Sequence, residues 1–181
     1  MLENKNILLI ISGGISAYKS LELIRLVRKS GGHVTCILTE GGQKFVTPMT
    51  AAALSENPVY TDLWSLKDES EMGHIRLSRE NDLIVVAPAS ANVIAKMAHG
   101  LADDLASAVL LASDKPVLIA PAMNPHMWAH PAVRDNIALL EKRGVKQAGP
   151  GTGDTACGED GTGRMAEPQE ILDAVVCFFK N

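Results

Sequence analysis

Aromatic residues are scarce, at 4% of the 181 residues. The core must therefore be packed with Leu, Ile, Val, Ala and Met. Long apolar runs are missing too. The longest uncharged ones, residues 7–11 and 83–87, fall far short of the ~20 residues of a membrane-spanning helix. The opening Met1-Leu2-Glu3-Asn4-Lys5-Asn6 has no basic-then-apolar export pattern. There is no cationic excess, since 17 Lys and Arg face 21 Asp and Glu for a net charge of −4. A nucleic-acid surface built on phosphate neutralisation is excluded. The three cysteines, Cys36, Cys157 and Cys177, show no C-x-x-C spacing. That argues against a disulfide framework or a zinc site and for a reducing, cytoplasmic setting. His126 and His130 are spaced i, i+4, but no Glu lies between them and no third ligand is evident, so no metal is expected. Internal repeats and low-complexity linkers are also absent. One domain spanning residues 1–181 is expected, at about 150 residues per domain.

What is present is an alternation of strands and helices. Residues 7–11 are continuously apolar, as in a central parallel strand buried on both faces. A helical stripe follows, with Leu21, Ile24 and Val27, and Gly31-Gly32 stops it. Residues 33–39 read as a second strand, completing a βαβ unit of right-handed crossover. Further strands are expected at 82–88, 116–121 and 145–148. Helices are expected at 48–55, 74–79, 91–98, 103–112, 132–143 and from Pro168 onward. Residues 61–71 read as surface loop, and 149–163 as a glycine-rich stretch. The expectation is an α/β fold, a doubly wound and mainly parallel sheet of Rossmann or flavodoxin-like type. Ligands in such sheets sit beyond the carboxyl ends of the strands, so those ends carry the functional reading.

Ser12-Gly13-Gly14-Ile15-Ser16 links the first strand to its helix. Glycine lets a backbone approach a ligand, and free helix N–H groups favour an anion. The third glycine of a dinucleotide fingerprint is missing, and no Gly-Lys-Ser/Thr follows. A single phosphate fits better than a pyrophosphate; a plain glycine turn fits equally well. Pro88-Ala89-Ser90-Ala91-Asn92 opens another helix, where Ser90 and Asn92 can be ordinary caps. In Pro121-Ala122-Met123-Asn124-Pro125-His126-Met127-Trp128, Asn124 offers a donor and an acceptor. Met127 and Trp128 are either packing or the wall of a flat ring. His74 opens a helix, where the dipole disfavours its protonated form and suits it to act as a base. Cys157 lies in a glycine-rich loop, unlike a buried structural thiol.

These stretches together resemble the homo-oligomeric flavin-containing cysteine decarboxylases, over nearly the whole chain from Lys5 to Phe179. The resemblance rests on Ser-Gly-Gly-Ile-Ser-Ala-Tyr-Lys at 12–19, Met-Gly-His at 72–74 and Pro-Ala-Ser-Ala-Asn at 88–92. It rests also on Pro-Ala-Met-Asn-Pro-His-Met-Trp at 121–128 and Ala-Cys-Gly-Glu at 156–159. It implies FMN as cofactor, with Gly14, Ile15 and Ser16 at the phosphate end, Thr39 beside them, and Ser90 and Asn92 on the flavin. It implies His74 as catalytic base, Asn124 as the group that binds the substrate carboxylate, Met127 beside it, and Cys157 as proton donor of the last step. One departure is Val93, where the family's pattern has threonine and a hydroxyl near the flavin.

The implied reaction is the decarboxylation of 4'-phosphopantothenoylcysteine to 4'-phosphopantetheine in coenzyme A biosynthesis. It runs by thiol oxidation, CO2 loss and enethiol reduction. The family further implies a homotrimer or dodecamer with FMN at subunit interfaces, and a phosphopantothenate–cysteine ligase as domain or partner. Three other readings are weighed. A peptidyl-cysteine decarboxylase of lantibiotic maturation stops at the enethiol, against which Cys157 argues. A flavin prenyltransferase should lack the stretch at 121–128. A non-catalytic FMN-binding regulatory flavoprotein should have lost His74 or Cys157.

Overall fold

In the computed structural model, residues 2–63, 73–154 and 158–180 are described. The apolar run near the N-terminus forms β1 (Asn6–Ile11), whose last five residues are all buried. It pairs in parallel with β2 (His33–Leu38) on one side and with β4 (Leu83–Ala89) on the other. Among the described residues, the sheet has six strands in the order β3-β2-β1-β4-β5-β6. The outer members are β3 (Val59–Tyr60), β5 (Val117–Pro121) and β6 (Lys146–Gln147). Every pairing within it is parallel. The chain winds outward from β1 to β3, then returns to β4 beside β1. The topological switch point therefore lies between β1 and β4, and a crevice is expected beyond their carboxyl ends.

The two-residue period of a strand divides β1 between two cores. Ile7, Leu9 and Ile11 pack in one layer with Leu23, Ile24 and Val27 of α1 (Ala17–Lys29) and with Ile171 and Val175 of α8 (Pro168–Phe178). Leu8 and Ile10 pack in the other, with Ile94 of α4 (Ala91–His99), Val109 of α5 (Leu105–Ala112) and Ile137 of α7 (Pro131–Lys142). Few aromatics are needed because branched aliphatics fill both layers. Local signals set the helix ends. In α2 (Pro48–Ser55), Thr47 accepts the Thr50 N–H at 3.1 Å and Pro48 opens the first turn, a cap worth about 1 kcal/mol. Gly100, at φ +68°, closes α4 in the left-handed region.

The expected doubly wound α/β sheet is the observed fold, with several local differences. The strand expected at 145–148 narrows to two residues, and β3 pairs only at Cys36 and Ile37, so neither carries a periodic signal. Within 121–128, read as a strand end, a short helix α6 (Pro125–Ala129) forms. The glycine-rich stretch contributes a hairpin, β7 (Gly151–Asp154) with β8 (Asp160–Arg164), separate from the main sheet. Its Gly and Thr residues lack apolar alternation; it is seated on the start of α6 instead. The Met123 N–H donates to the Gly163 carbonyl at 2.9 Å. A Cβ at Gly163 would strike the Met123 carbonyl, and one at Gly161 would meet Pro125. The remaining helix, α3 (Gly73–Arg79), buries Leu77 in the second core. Among the described residues, no helix is long and apolar enough to cross a membrane.

Candidate active site

The strand ends at the switch point are tied together by one buried hydroxyl. Ser12, 1% exposed, donates to the Pro88 carbonyl at 2.7 Å and accepts the Ser90 N–H at 3.0 Å. Ser90 Oγ in turn accepts the Val93 N–H at 3.4 Å, capping α4. On the other side, the turn after β2 presses against the turn after β1. A Cβ on Gly13 would lie 3.1 Å from the Gly41 backbone, and one on Gly42 would collide with the Ile11 carbonyl oxygen. Thr39 holds this second turn, donating its N–H to Ile11 and accepting the Gly42 N–H on Oγ1 at 3.0 Å.

Beyond the ends of β1 and β5 opens a cleft of about 380 Å³, lined by Gly14, Ile15, Ser16, Tyr18, Met123 and Asn124, among others. Ser16 stands at the start of α1 with no side-chain cap bond. Among the described residues, no protein acceptor takes the N–H groups of Gly14, Ile15 or Ser16. These three residues line the cleft at the positive end of a 13-residue helix, an arrangement suited to an anion. Two cations line the same cleft. Lys19 binds Glu167 at 2.7 Å, and Arg164 approaches the same carboxylate at 3.6 Å.

Asn124 caps α6. Its Oδ1 accepts the Met127 N–H at 2.9 Å, which fixes the amide plane and turns Nδ2 outward. Nδ2 donates to Glu159 Oε2 at 2.6 Å. The cleft thus joins the candidate phosphate loop and the candidate carboxylate-binding amide, which are more than a hundred residues apart in sequence.

Of the other candidates, those that are described do not line this cleft. Thr39 lines a second cavity of about 530 Å³ with Lys96, Asp103 and Asp104. Ser90 and the exposed Asn92 do not line the first cleft, and neither does Met127, which is 48% exposed. Trp128 packs against the second core with the Arg134 guanidinium over its ring at 4.9 Å. His74 falls on α3, but its side chain lies outside the described residues, as does Cys157. His130 Nδ1 accepts the Ala132 N–H at the start of α7. Val93 is buried at 5% exposure, so its missing hydroxyl is replaced by core packing.

Sequence reasoning missed Lys19, Arg164 and Glu159. Lys19 and Glu159 stood inside quoted motifs without a role. Arg164 had no signal, because the hairpin that carries it was not foreseen.

Among the described residues, two titrating environments depart from the ordinary. Burial pushes the Cys36 thiol up to about 12 against a weak opposing bond from Ser55, so this cysteine is chemically quiet. At the second cavity, burial pulls the Lys96 ammonium down, but bonds to Asp103 at 2.7 Å and Asp104 at 2.6 Å outweigh it and raise its pKa. The Lys96 bond lowers the pKa of Asp103; for Asp104, bonds from Lys96 and Ser107 overcome desolvation and lower it as well.

Residues 1–180 match the family model described as Flavoprotein. The Coenzyme A biosynthesis bifunctional protein CoaBC of Haemophilus influenzae is 45% identical over 178 residues, 98% of this chain and 44% of that protein. The chain therefore spans less than half the length of the curated relatives it matches. Among solved structures, a mutant PPC decarboxylase complexed with pantothenoylaminoethenethiol superposes with a TM-score of 0.87 at 30% identity, covering 99% of this chain and 100% of the other. The FMN-dependent cysteine decarboxylase SpaF superposes with a TM-score of 0.85 at 27% identity, with full coverage of both chains. On the family match and these full-length likenesses, the chain belongs to the flavoprotein family.

Proposed function

We propose that the chain binds FMN and decarboxylates 4'-phosphopantothenoylcysteine to 4'-phosphopantetheine, as a flavoprotein domain spanning residues 1–181. The observation that carries this is the one cleft holding both the N–H groups of Gly14, Ile15 and Ser16, which have no acceptor among the described residues, and the fixed amide of Asn124. The first is a cradle for one phosphate, with no second glycine step for a pyrophosphate, which fits FMN rather than a dinucleotide. Thr39 is assigned a place beside the phosphate end, and Ser90 and Asn92 to the flavin.

FMN, when bound, supplies a two-electron acceptor and donor that neither thiol nor protein possesses. The protein's part is to bind, orient and move protons. His74 takes the thiol proton as the thiol-bearing carbon is oxidised to a thioaldehyde. Asn124 holds the carboxylate, with Met127 beside it, so that the breaking C–C bond can deliver its electron pair to the thiocarbonyl. CO2 leaves and an enethiol remains. Cys157 then gives a proton to the enethiol as the two electrons return. The relative crystallised with pantothenoylaminoethenethiol supports an enethiol on this route.

A homotrimer or dodecamer, with the cofactor at subunit interfaces in the cytoplasm, belongs to the same reading. So does a ligase domain or partner, supported by the bifunctional relatives. Incubating the holoprotein with 4'-phosphopantothenoylcysteine and weighing the product tests it. Loss of CO2 to the saturated thiol is expected. An unchanged substrate would overturn the reading, and turnover only of cysteine-ending peptides would replace it with the peptidyl-cysteine one. Released cofactor should run as FMN.

A further inference from the structure

The amide assigned to a substrate carboxylate already holds one. Asn124 Nδ2 donates to Glu159 Oε2 at 2.6 Å, across 35 residues of sequence. The contact is built rather than incidental. Oδ1 is committed to the Met127 N–H, so the amide cannot flip without losing that bond. The hairpin carrying Glu159 is seated on the start of α6 through Gly161 and Gly163, where no side chain would fit. The other carboxylate oxygen, Oε1, lies 3.9 Å from His126 Nε2, on the exposed side of the contact. The Glu159 side chain is 41% exposed, so leaving Asn124 does not strand a buried charge.

We propose that Glu159 is an internal stand-in for the substrate carboxylate, holding Asn124 ready and yielding it when substrate arrives. This rests on the reading that Asn124 receives that carboxylate. The amide has a second N–H, but two carboxylates on one nitrogen would sit close enough for like charges to repel. Occupancy is therefore an exchange. A ligand bearing the carboxylate must displace Glu159; a ligand without it need not. Once CO2 has left, the amide is free for Glu159 again, and the product no longer competes for it.

The test is calorimetric titration of the FMN-loaded protein with two probes. One is 4'-phosphopantothenoylserine, which keeps the carboxylate but has no thiol to oxidise. The other is 4'-phosphopantetheine, which has no carboxylate. In Glu159→Ala the first should bind about tenfold tighter, the scale of one charge-assisted hydrogen bond. Glu159→Gln, which keeps an acceptor oxygen without the charge, should fall between it and the unaltered protein. The affinity for 4'-phosphopantetheine should not move in either variant. Unchanged or weaker binding of the serine probe overturns the proposal, as does an equal shift for both probes, the mark of a merely structural role. If the unaltered protein turns over 4'-phosphopantothenoylcysteine while neither variant tightens, this inference alone falls. If the unaltered protein neither binds nor turns over that substrate, the functional reading falls and takes the inference with it.

Discussion

The Ser12 hydroxyl donates to the Pro88 carbonyl at 2.7 Å, locking the end of β1 to the end of β4. Because the same oxygen accepts the Ser90 N–H, one buried atom sets the spacing between the Gly14 loop and the start of α4. The position and the chemistry of the site are thus coupled through a residue that does not line the cleft.

Ser12→Ala removes that tie. The Ser90 N–H loses its acceptor, a loss worth about 1–3 kcal/mol. The chain should still fold, with a lower Tm, and bind FMN more weakly because the two loops are no longer held together. Retained flavin absorbance after dialysis, read beside thermal melting, checks this. A variant with unaltered Tm and flavin retention would show that the hydroxyl has no such role.

Gly42→Ala should be worse. Its Cβ would fall on the Ile11 carbonyl oxygen, which is backbone and cannot rotate aside. The turn after β2 must move, and with it the Gly13–Gly41 contact behind the candidate phosphate loop. We expect loss of bound FMN and a drop in stability of about 2 kcal/mol or more, the scale of overpacking. Denaturant titration and flavin content measure the two effects separately.

Asp104→Ala removes the cap of α5, where Oδ1 accepts the Ser107 N–H at 2.8 Å. The expected cost is about 1 kcal/mol, or roughly 2–4 °C in Tm for a domain of this size. The loss should depend on pH. The folded pKa of Asp104 is lowered, so its contribution is present above the unfolded value of about 3.9 and vanishes as pH falls through the folded value. The Lys96 pKa is raised, so its share is present below about 10.4 and is lost only as pH rises through the higher folded value. The Tm gap between the two proteins should therefore hold across neutral pH and close in acid below about 3.9. A gap that persists there would place the stabilisation elsewhere.

Cys157→Ser separates the two halves of the proposed reaction. Oxidation and CO2 loss depend on His74 and Asn124, which are unaltered. The return step needs a proton, and a serine hydroxyl is a far weaker acid than a thiol of reference pKa about 8.5. Run anaerobically, the variant should release CO2 and stop after about one cycle with the enethiol as product. Repeated turnover to the saturated thiol, read by mass, would remove Cys157 from the role.

The parallel sheet was legible in the sequence because consecutive buried positions leave a direct trace. Residues 7–11, 83–87 and 117–120 are continuously apolar, and glycine and proline punctuate the helices between them. The candidates Gly14, Ser16 and Asn124 were legible for a related reason: they are small or polar residues within a few positions of the end of such a strand, where ligands are expected in a sheet of this kind. What joins them was not. The partnership of Asn124 with Glu159 depends on a hairpin of Gly and Thr that has no hydrophobic period and exists only because α6 gives it a seat. The separation of Thr39 into another cavity depends on how closely Gly13 and Gly41 approach, a contact between backbones that leaves no pattern along either segment. Local composition determines which strands and helices form, because burial and capping act over a few residues. Which polar groups meet is decided by the tertiary structure, because those distances are set by packing between segments far apart in the chain.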